Sequence, residues 1–281
     1  MTANTLDRTA LEVRPGPRRG PLARHSAYLA VRSLRALWRQ PAFAVATLVQ
    51  PIIWLLLFGQ LFRRIVDIPG FGAPRGSYLE FLTPGVIVMT ALFSSCWAGT
   101  VYIEDMKRGV MDRFLASPVR RGALMAGTLA YQAATTVVQT VVVLLVAVLA
   151  GARFAGGLGG VLVTLAAACL VSVVMASLSN ALALLLRSQE ALIVISQFVV
   201  LPLQFLSSAL MDPRLSPAWV QDVARVNPVD WAVVASRGAL SPAGAGTDWH
   251  DVGMHLGLLA ALALVMAWLA TRAFRTYQRS L

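Results

Sequence analysis

Long apolar segments constrain this chain more than any other feature. Six runs of about 20 residues or more have the length that a helix rising ~1.5 Å per residue needs to cross a bilayer core of ~30 Å. They lie at 43–62, 82–103, 123–150, 158–186, 191–211 and 252–271. Only 13% of the 281 residues are charged, whereas soluble domains carry about 25%. The sequence therefore predicts an all-α membrane protein with six transmembrane helices.

The segments between these runs are too short for a separate soluble domain. We expect one transmembrane domain over 24–281, preceded by a flexible cytoplasmic tail over 1–23 that is rich in proline, glycine and arginine. The stretch "RHSAYLAVRSLRALWRQP" then places apolar residues and arginines mostly on opposite helical faces. Such a pattern predicts an N-terminal interfacial helix on anionic membrane lipids. An ordinary cytoplasmic helix packed on a partner is a compatible alternative.

The basic residues are distributed unevenly over the segments between the spans. Seventeen of the 24 lysines and arginines fall in 1–42, 104–122, 187–190 and 272–281, and that side carries the whole net charge of +11. Cells keep lysine and arginine on the cytoplasmic side of a membrane. We therefore expect a multi-pass protein of the bacterial inner membrane with both termini in the cytoplasm. This asymmetry explains the basic composition without a nucleic-acid partner.

The spans contain almost no ionisable side chains. The first five have no Asp, Glu, Lys or Arg, and the sixth has only His255. Ion-coupled transporters and membrane hydrolases need such groups within the bilayer, so both classes are disfavoured. The three histidines are scattered, and no metal site is expected.

Uncharged polar residues are instead candidates for lining a translocation path. The candidates are Gln197, Gln204, Ser207 and Ser208 on the fifth span and Ser94 and Ser95 on the second. Gln197, Gln204 and Ser208 are separated by seven and four residues, which predicts one helical face. The alternative is that these groups only form hydrogen bonds between helices.

The charged block "EDMKRGVMDRFLASPVRRG" interrupts two long apolar stretches. Its apolar residues Met106, Val110, Phe114 and Leu115 form one stripe between charged flanks, which predicts a short amphipathic helix. Pro118 disfavours helical geometry at the residue before it and ends the helix there. Such a helix could dock on a cytoplasmic protein. The alternative is a solvated loop whose charges only set the topology.

The block resembles the signature of ABC type-2 exporter permeases. The shared pattern is an acidic residue, a glycine five positions later and "LASPV-R" at the entry to the third span. The later stretch "SSALMDPRLSPAWVQDVARVNPVDWAVVASRG" is similar to the same family's segment between spans five and six. Together with the six-span plan, the resemblance covers nearly the whole chain. It is nearest to the drug exporters of the daunorubicin-resistance type.

This resemblance implies that 104–118 is a cytoplasmic coupling helix for a separate ATP-binding subunit. Glu104 would be a polar contact or cap, and Gly109 would allow close packing. Arg113 would pair with the partner. The implied contact residues are Glu104, Asp105, Gly109, Asp112, Arg113, Phe114, Leu115, Ser117, Pro118 and Arg120.

The chain has no ATPase site of its own by sequence. A P-loop needs a Gly-Lys-Ser/Thr turn, and the only lysine, Lys107, lies in "DMKRG". We therefore expect no catalytic residue and no cofactor bound by this chain. ATP and Mg would bind to the partner.

The segment 212–251 is expected outside the cytoplasm. Ser216-Pro217 and Asn227-Pro228 are start signals for two short extracytoplasmic helices, the second ending near Gly238. In the family that the chain resembles, such helices help to form an outer gate. The residues that this implies are Trp219, Asn227, Pro228 and Trp231. A packed cap without gating is the alternative.

The resemblance implies the permease subunit of an ATP-driven exporter, working as a homodimer or heterodimer of permeases with two ATPase subunits. A polar but uncharged path suits an amphipathic or hydrophobic cargo such as a drug or lipid. Two alternatives stay open. One is a polysaccharide or glycolipid exporter of the same superfamily, and the other is a membrane scaffold without transport activity.

Overall fold

The computed structural model describes residues 41–64, 77–110, 121–210, 216–240 and 248–279. The described residues form nine helices and no strand. The helices are α1 (Pro41–Leu61), α2 (Tyr78–Cys96), α3 (Thr100–Lys107), α4 (Arg121–Leu149), α5 (Gly157–Leu186), α6 (Gln189–Phe205), α7 (Ala218–Val226), α8 (Pro228–Leu240) and α9 (Trp249–Arg279).

Several sequence predictions lie outside these residues. They include the N-terminal tail, nearly all of the interfacial helix and the second half of the coupling segment. The coupling residues concerned are Asp112, Arg113, Phe114, Leu115, Ser117, Pro118 and Arg120.

Four helical stretches are long and apolar enough to cross a membrane. They are Tyr78–Lys107, Met125–Leu149, Gly157–Leu186 and Trp249–Phe274, which match the predicted second, third, fourth and sixth spans. Two shorter apolar helices, Thr47–Leu61 and Gln189–Phe205, coincide with the predicted first and fifth spans. The all-helical, membrane-spanning class is thus confirmed, and the number of six spans stays a prediction.

Side-chain caps fix several helix starts. Ser77 begins α2 with a capping box, in which its hydroxyl accepts the Glu80 N–H and its own N–H is donated to the Glu80 carboxylate. Ser188 begins α6, only two residues after α5 has ended at Leu186. Arg187 makes this tight turn with a left-handed backbone (φ 54°).

The predicted end of α8 at Gly238 is wrong, because the helix continues to Leu240.

Helix α5 is the centre of the packing. It contacts α2, α3, α4, α6, α8 and α9. Its buried face is rich in small residues, including Ala167, Ala168, Ser172, Ala176 and Ser179. In a membrane the lipid provides no hydrophobic force between helices, so their association depends on close packing. Small residues permit this packing because they let the helix backbones approach closely. The core is therefore built by close contact of neutral helices.

The ends of the helices contact one another in two groups, one at each end of the helix bundle. At one end, the carboxylate of Glu80 accepts the Arg153 N–H (2.9 Å), and the Tyr78 hydroxyl donates to the Leu210 carbonyl (3.2 Å). At the other end, an apolar cluster contains Tyr102, Leu192 and Phe274. Segments that the charge count assigns to one side of the membrane are therefore neighbours in the structure.

Candidate functional site

A cavity of about 400 Å³ lies between α1, α2 and α6. Among the residues that the structure describes, its wall contains four aromatic side chains and several uncharged polar ones, and no acidic or basic one. The aromatic residues are Trp54, Phe93, Trp97 and Phe205. The polar residues are Thr47, Gln50, Thr90, Ser94, Gln197 and Gln204. The cavity can therefore offer stacking surfaces and neutral hydrogen bonds to a bound molecule.

The polar groups of the α2 wall are already oriented by neighbouring groups. The Thr90 hydroxyl donates to the Val86 carbonyl (2.7 Å), and the Ser94 hydroxyl donates to the Ala91 carbonyl (3.3 Å). Ser94 also accepts a hydrogen bond from Gln132 Nε2 (3.2 Å). Both hydroxyl hydrogens are thus used within the helix, so these residues act mainly as hydrogen-bond acceptors towards the cavity.

Three of the six predicted path residues line this cavity: Ser94, Gln197 and Gln204. The other three do not. Ser95 is fully buried and donates to the Ala91 carbonyl (2.6 Å), while Ser207 donates to the Gln204 carbonyl (2.7 Å). The cavity wall also contains Gln50 and Thr90, which carry the same signal of an uncharged polar residue within a span but are not among the six predicted path residues.

Ser208 does not continue the helical face of Gln197 and Gln204, so that part of the prediction is wrong. Helix α6 ends at Phe205, where the Leu206 N–H bonds to the Pro202 carbonyl (2.9 Å). Beyond this point the seven-and-four spacing no longer describes one face. Ser208 belongs instead to a contact with α8.

Asn227 joins the end of α6 to the start of α8. Its side-chain nitrogen donates to the carbonyls of Leu203 (2.7 Å) and Leu206 (2.9 Å), and its side-chain oxygen accepts the Val229 N–H (2.9 Å). The four last carbonyls of a helix have no partner within it. Asn227 thus caps two helices with one amide group.

Two charged residues of α8 hold both backbone groups of Ser208. Asp230 Oδ1 accepts the Ser208 N–H (2.7 Å), and Arg237 Nη2 donates to the Ser208 carbonyl (2.9 Å). The same guanidinium group donates to the Phe81 carbonyl (3.3 Å) and lies 3.8 Å from the centre of the Phe81 ring. We call Ser208, Asn227, Asp230 and Arg237 the α6–α8 junction. Asp230 and Arg237 are not among the gate residues that the family resemblance implies.

The predicted gate residues lie on α7 and at the start of α8, where the Trp231 N–H bonds to the Asn227 carbonyl (3.1 Å). Trp219 is 61% exposed on α7, on the same face as the exposed Val223 and Val226. The Trp231 indole N–H donates to the Arg225 carbonyl (2.7 Å), which ties α8 to α7. Pro228 is the first residue of α8. Only Asn227 of this set lies in the α6–α8 junction.

The described part of the coupling segment differs from the predicted amphipathic helix. Residues Glu104 and Asp105 belong to α3, which continues the second span and ends at Lys107. Glu104 forms an ion pair with Arg108 (3.4 Å) between largely exposed side chains, and such pairs contribute little stability. Gly109 has a left-handed backbone (φ 66°), and a side chain there would meet none of the described residues within 4 Å. Gly109 therefore turns the backbone after α3, and its close packing on a partner stays a prediction.

The start of α6 lies near the end of α3. Glu190, at the head of α6 outside the apolar run, has a lowered pKa. The main causes are the hydrogen bonds to its carboxylate from its own backbone N–H and from the Ser188 hydroxyl (2.7 Å), with a further contribution from the positive charge of Lys107. The side chains of Glu190 on α6 and Lys107 on α3 are both exposed.

No three His, Cys, Asp or Glu side chains come together in a way that could hold a metal ion within the described ranges of the chain. What the described residues do offer is a neutral cavity that can bind a molecule and a charged segment that can contact a partner.

Comparisons with known proteins agree on one family. Residues 26–241 match the "ABC-2 type transporter" family. The chain is 30% identical to the "Daunorubicin resistance ABC transporter permease protein DrrB1" of Streptomyces coeruleorubidus, with 87% of this chain and 83% of the relative aligned. It is 26% identical to "Nodulation protein J" of Rhizobium meliloti over 85% of this chain and 88% of the relative. It is 23% identical to the "Probable doxorubicin resistance ABC transporter permease protein DrrC" of Mycobacterium tuberculosis over 82% of this chain and 84% of the relative. Because the matched segment covers well over half of the 281 residues, the chain belongs to the ABC-2 type transporter family.

Proposed function

We propose that this chain is the membrane-spanning permease subunit of an ATP-driven exporter. Its cargo is an amphipathic or hydrophobic molecule, a drug or a lipid, which leaves the cytoplasm or the inner leaflet. The observation that carries this proposal is the uncharged, aromatic-walled cavity between α1, α2 and α6 in a chain of this family.

The chemistry of the cavity wall favours this kind of cargo. A volume of about 400 Å³ falls within the ~300–1,000 Å³ that pockets for drug-sized ligands occupy. Four aromatic side chains suit a flat apolar body, and the glutamine amides suit a few neutral polar groups. An anionic glycan would call for basic residues, and none is found among the described residues that line the cavity.

Two relatives supply a practical probe. Their names refer to resistance to daunorubicin and to doxorubicin, at 30% and 23% identity. Both are permeases of ABC transporters by name. Daunorubicin is therefore the first compound to test on this chain.

The energy would come from a second polypeptide. The sequence has no P-loop, so ATP and Mg would bind to an ATP-binding subunit that docks on 104–118. We propose a pair of permeases with two such subunits, six spans in each permease and both termini in the cytoplasm.

A pull-down from native membranes in mild detergent tests this proposal. Mass spectrometry of the eluate should identify an ATPase with a P-loop, and its hydrolysis rate should change when daunorubicin or lipid is added. A chain that comes out without any ATPase would contradict the exporter function and favour the scaffold alternative.

A further inference from the structure

The second span is broken next to the cavity. Helix α2 ends at Cys96 and α3 begins at Thr100, with a turn over 97–99 between them. In this turn the Ala98 N–H bonds to the Ser95 carbonyl (3.1 Å) and the Thr100 N–H bonds to the Trp97 carbonyl (3.0 Å). Both are bonds over three residues instead of the four of an α-helix. The carbonyl of residue 96 and the N–H of residue 99 thus lose their usual helical partners.

One side chain of α5 replaces both partners. The Ser179 hydroxyl donates to the Cys96 carbonyl (2.6 Å) and accepts the Gly99 N–H (3.0 Å). The Ser196 hydroxyl of α6 makes a longer bond to the same carbonyl (3.4 Å). A side chain that inserts between the backbone hydrogen-bonding groups of a helix is a known cause of sharp helix bends. Gly99 is needed because any side chain there would collide with the Ser179 backbone carbonyl.

Asn180, the next residue of α5, contacts α4, the helix that follows the coupling segment. Asn180 Nδ2 lies 3.4 Å from Thr128 Oγ1 and 3.4 Å from Met125 Sδ, both on α4. The Tyr102 hydroxyl of α3 is also hydrogen-bonded to Thr128 Oγ1 (3.1 Å). Helix α3 precedes and helix α4 follows residues 108–120. Two adjacent buried residues of α5 thus bind the helices on both sides of this segment: Ser179 contacts the start of α3, and Asn180 contacts α4.

We propose that Ser179 is a positioning residue that transmits movement of the coupling segment to the cavity wall. This inference rests on the proposed function. The break separates α3, which leads to the coupling segment, from Trp97 and Ser94, which line the cavity. A displacement of α3 reaches Trp97 through a turn whose backbone groups Ser179 fixes. Without that hydroxyl, α3 moves while the cavity wall does not follow.

The hydroxyl has to donate and accept at the same time, which makes the inference testable by a graded series. Serine does both well, cysteine is a weak donor and acceptor of similar size, and alanine does neither. Ser172→Ala is the matched control, because Ser172 is a fully buried serine on the same helix that donates to the Cys169 carbonyl of its own helix (3.0 Å).

The experiment uses the full chain with its co-purified ATPase in proteoliposomes and daunorubicin as the probe. Basal ATP hydrolysis, drug transported per ATP hydrolysed, and melting temperature are measured for each variant. We expect Ser179→Ala to keep basal hydrolysis near the wild-type rate and to lose about tenfold in transport per ATP, the size expected when one buried hydrogen-bonding group is removed. Ser179→Cys should fall between, and Ser172→Ala should transport like wild type.

Wild-type transport per ATP in Ser179→Ala would overturn the inference. So would equal losses in Ser179→Ala and Ser172→Ala, or a lowered melting temperature with unchanged transport per ATP, since these indicate a purely structural role. If Ser179→Ala does not assemble, the test rests on Ser179→Cys. Wild-type transport per ATP in Ser179→Cys would then overturn the inference. A wild-type complex without any ATP-dependent transport would show that the proposed function fails, and the inference with it.

Discussion

Gln204 shows how the interior of this protein is adapted to neutral polar contacts. The side chain lines the cavity with only 6% of its surface exposed, and its Nε2 lies 3.8 Å from Met89 Sδ. Its Oε1 has no hydrogen-bond partner among the described residues. A buried polar atom without a partner costs about 1–3 kcal/mol. Because Gln204 lines the cavity, a donor group of a bound molecule could pair with this oxygen.

Gln204→Leu should therefore leave the melting temperature unchanged or raise it. Leucine has a similar size and removes the unpartnered oxygen. Gln132→Leu is the contrasting variant, because Gln132 is also buried but donates to Ser94 Oγ (3.2 Å). We expect it to lose about 1 kcal/mol in the free energy of unfolding. A clear loss of stability in Gln204→Leu would contradict the assignment.

At the scale of helices and turns, the α6–α8 junction fixes the end of the cavity-lining helix. Arg237 contributes two hydrogen bonds to backbone carbonyls and a contact with the Phe81 ring. We expect Arg237→Ala to lower the free energy of unfolding by roughly 2–3 kcal/mol, since a charged donor to a backbone group contributes more than a neutral one.

Arg225→Ala is the matched control for this prediction. Arg225 forms an ion pair with Asp222 (3.3 Å) in which both side chains are largely exposed, and its loss should cost less than about 1 kcal/mol. Thermal unfolding of both variants in the same detergent gives the comparison. Equal effects would mean that the junction does not stabilise the end of α6.

The turn after α3 permits a second test at this scale. Gly109 has φ 66°, a backbone conformation that residues other than glycine rarely adopt, so the backbone alone predicts a cost for a side chain here. Gly109→Ala should lower stability by about 1 kcal/mol, and Gly109→Asn by less, because asparagine tolerates the left-handed region. Thermal unfolding measures both. A larger loss for asparagine than for alanine would indicate that packing decides at this position.

At the scale of the whole molecule, the apolar runs predicted most of the architecture. Helices α1, α4 and α5 lie within a few residues of the predicted spans, because lipid requires every backbone group to be satisfied within the helix. Three features could not be predicted locally. The break over 97–99 depends on Ser179, 80 residues away from Gly99. The burial of Asp230 depends on the Ser208 N–H, and the end of α6 depends on Asn227.

The topology is testable at the same scale. Arg153 and Arg108 are both exposed and lie at opposite ends of the helix bundle. We expect a cysteine at Arg153 to react with a membrane-impermeant maleimide from outside the cell, and a cysteine at Arg108 to react only after the membrane is opened. The parent chain, with Cys96 and Cys169 in place, gives the background. The reverse pattern would overturn the assigned orientation.

ATP-dependent uptake of daunorubicin into inside-out proteoliposomes tests whether cargo passes through the cavity between α1, α2 and α6. The vesicles contain the chain together with its co-purified ATPase, and the wild type is compared with the double variant Gln197→Leu/Gln204→Leu. Gln139→Leu is the control, because Gln139 is a buried glutamine whose Oε1 also has no partner among the described residues, but it does not line the cavity. We expect ATP-dependent uptake by the wild type and the control and a strong loss in the double variant. Equal uptake by all three would contradict a path through this cavity.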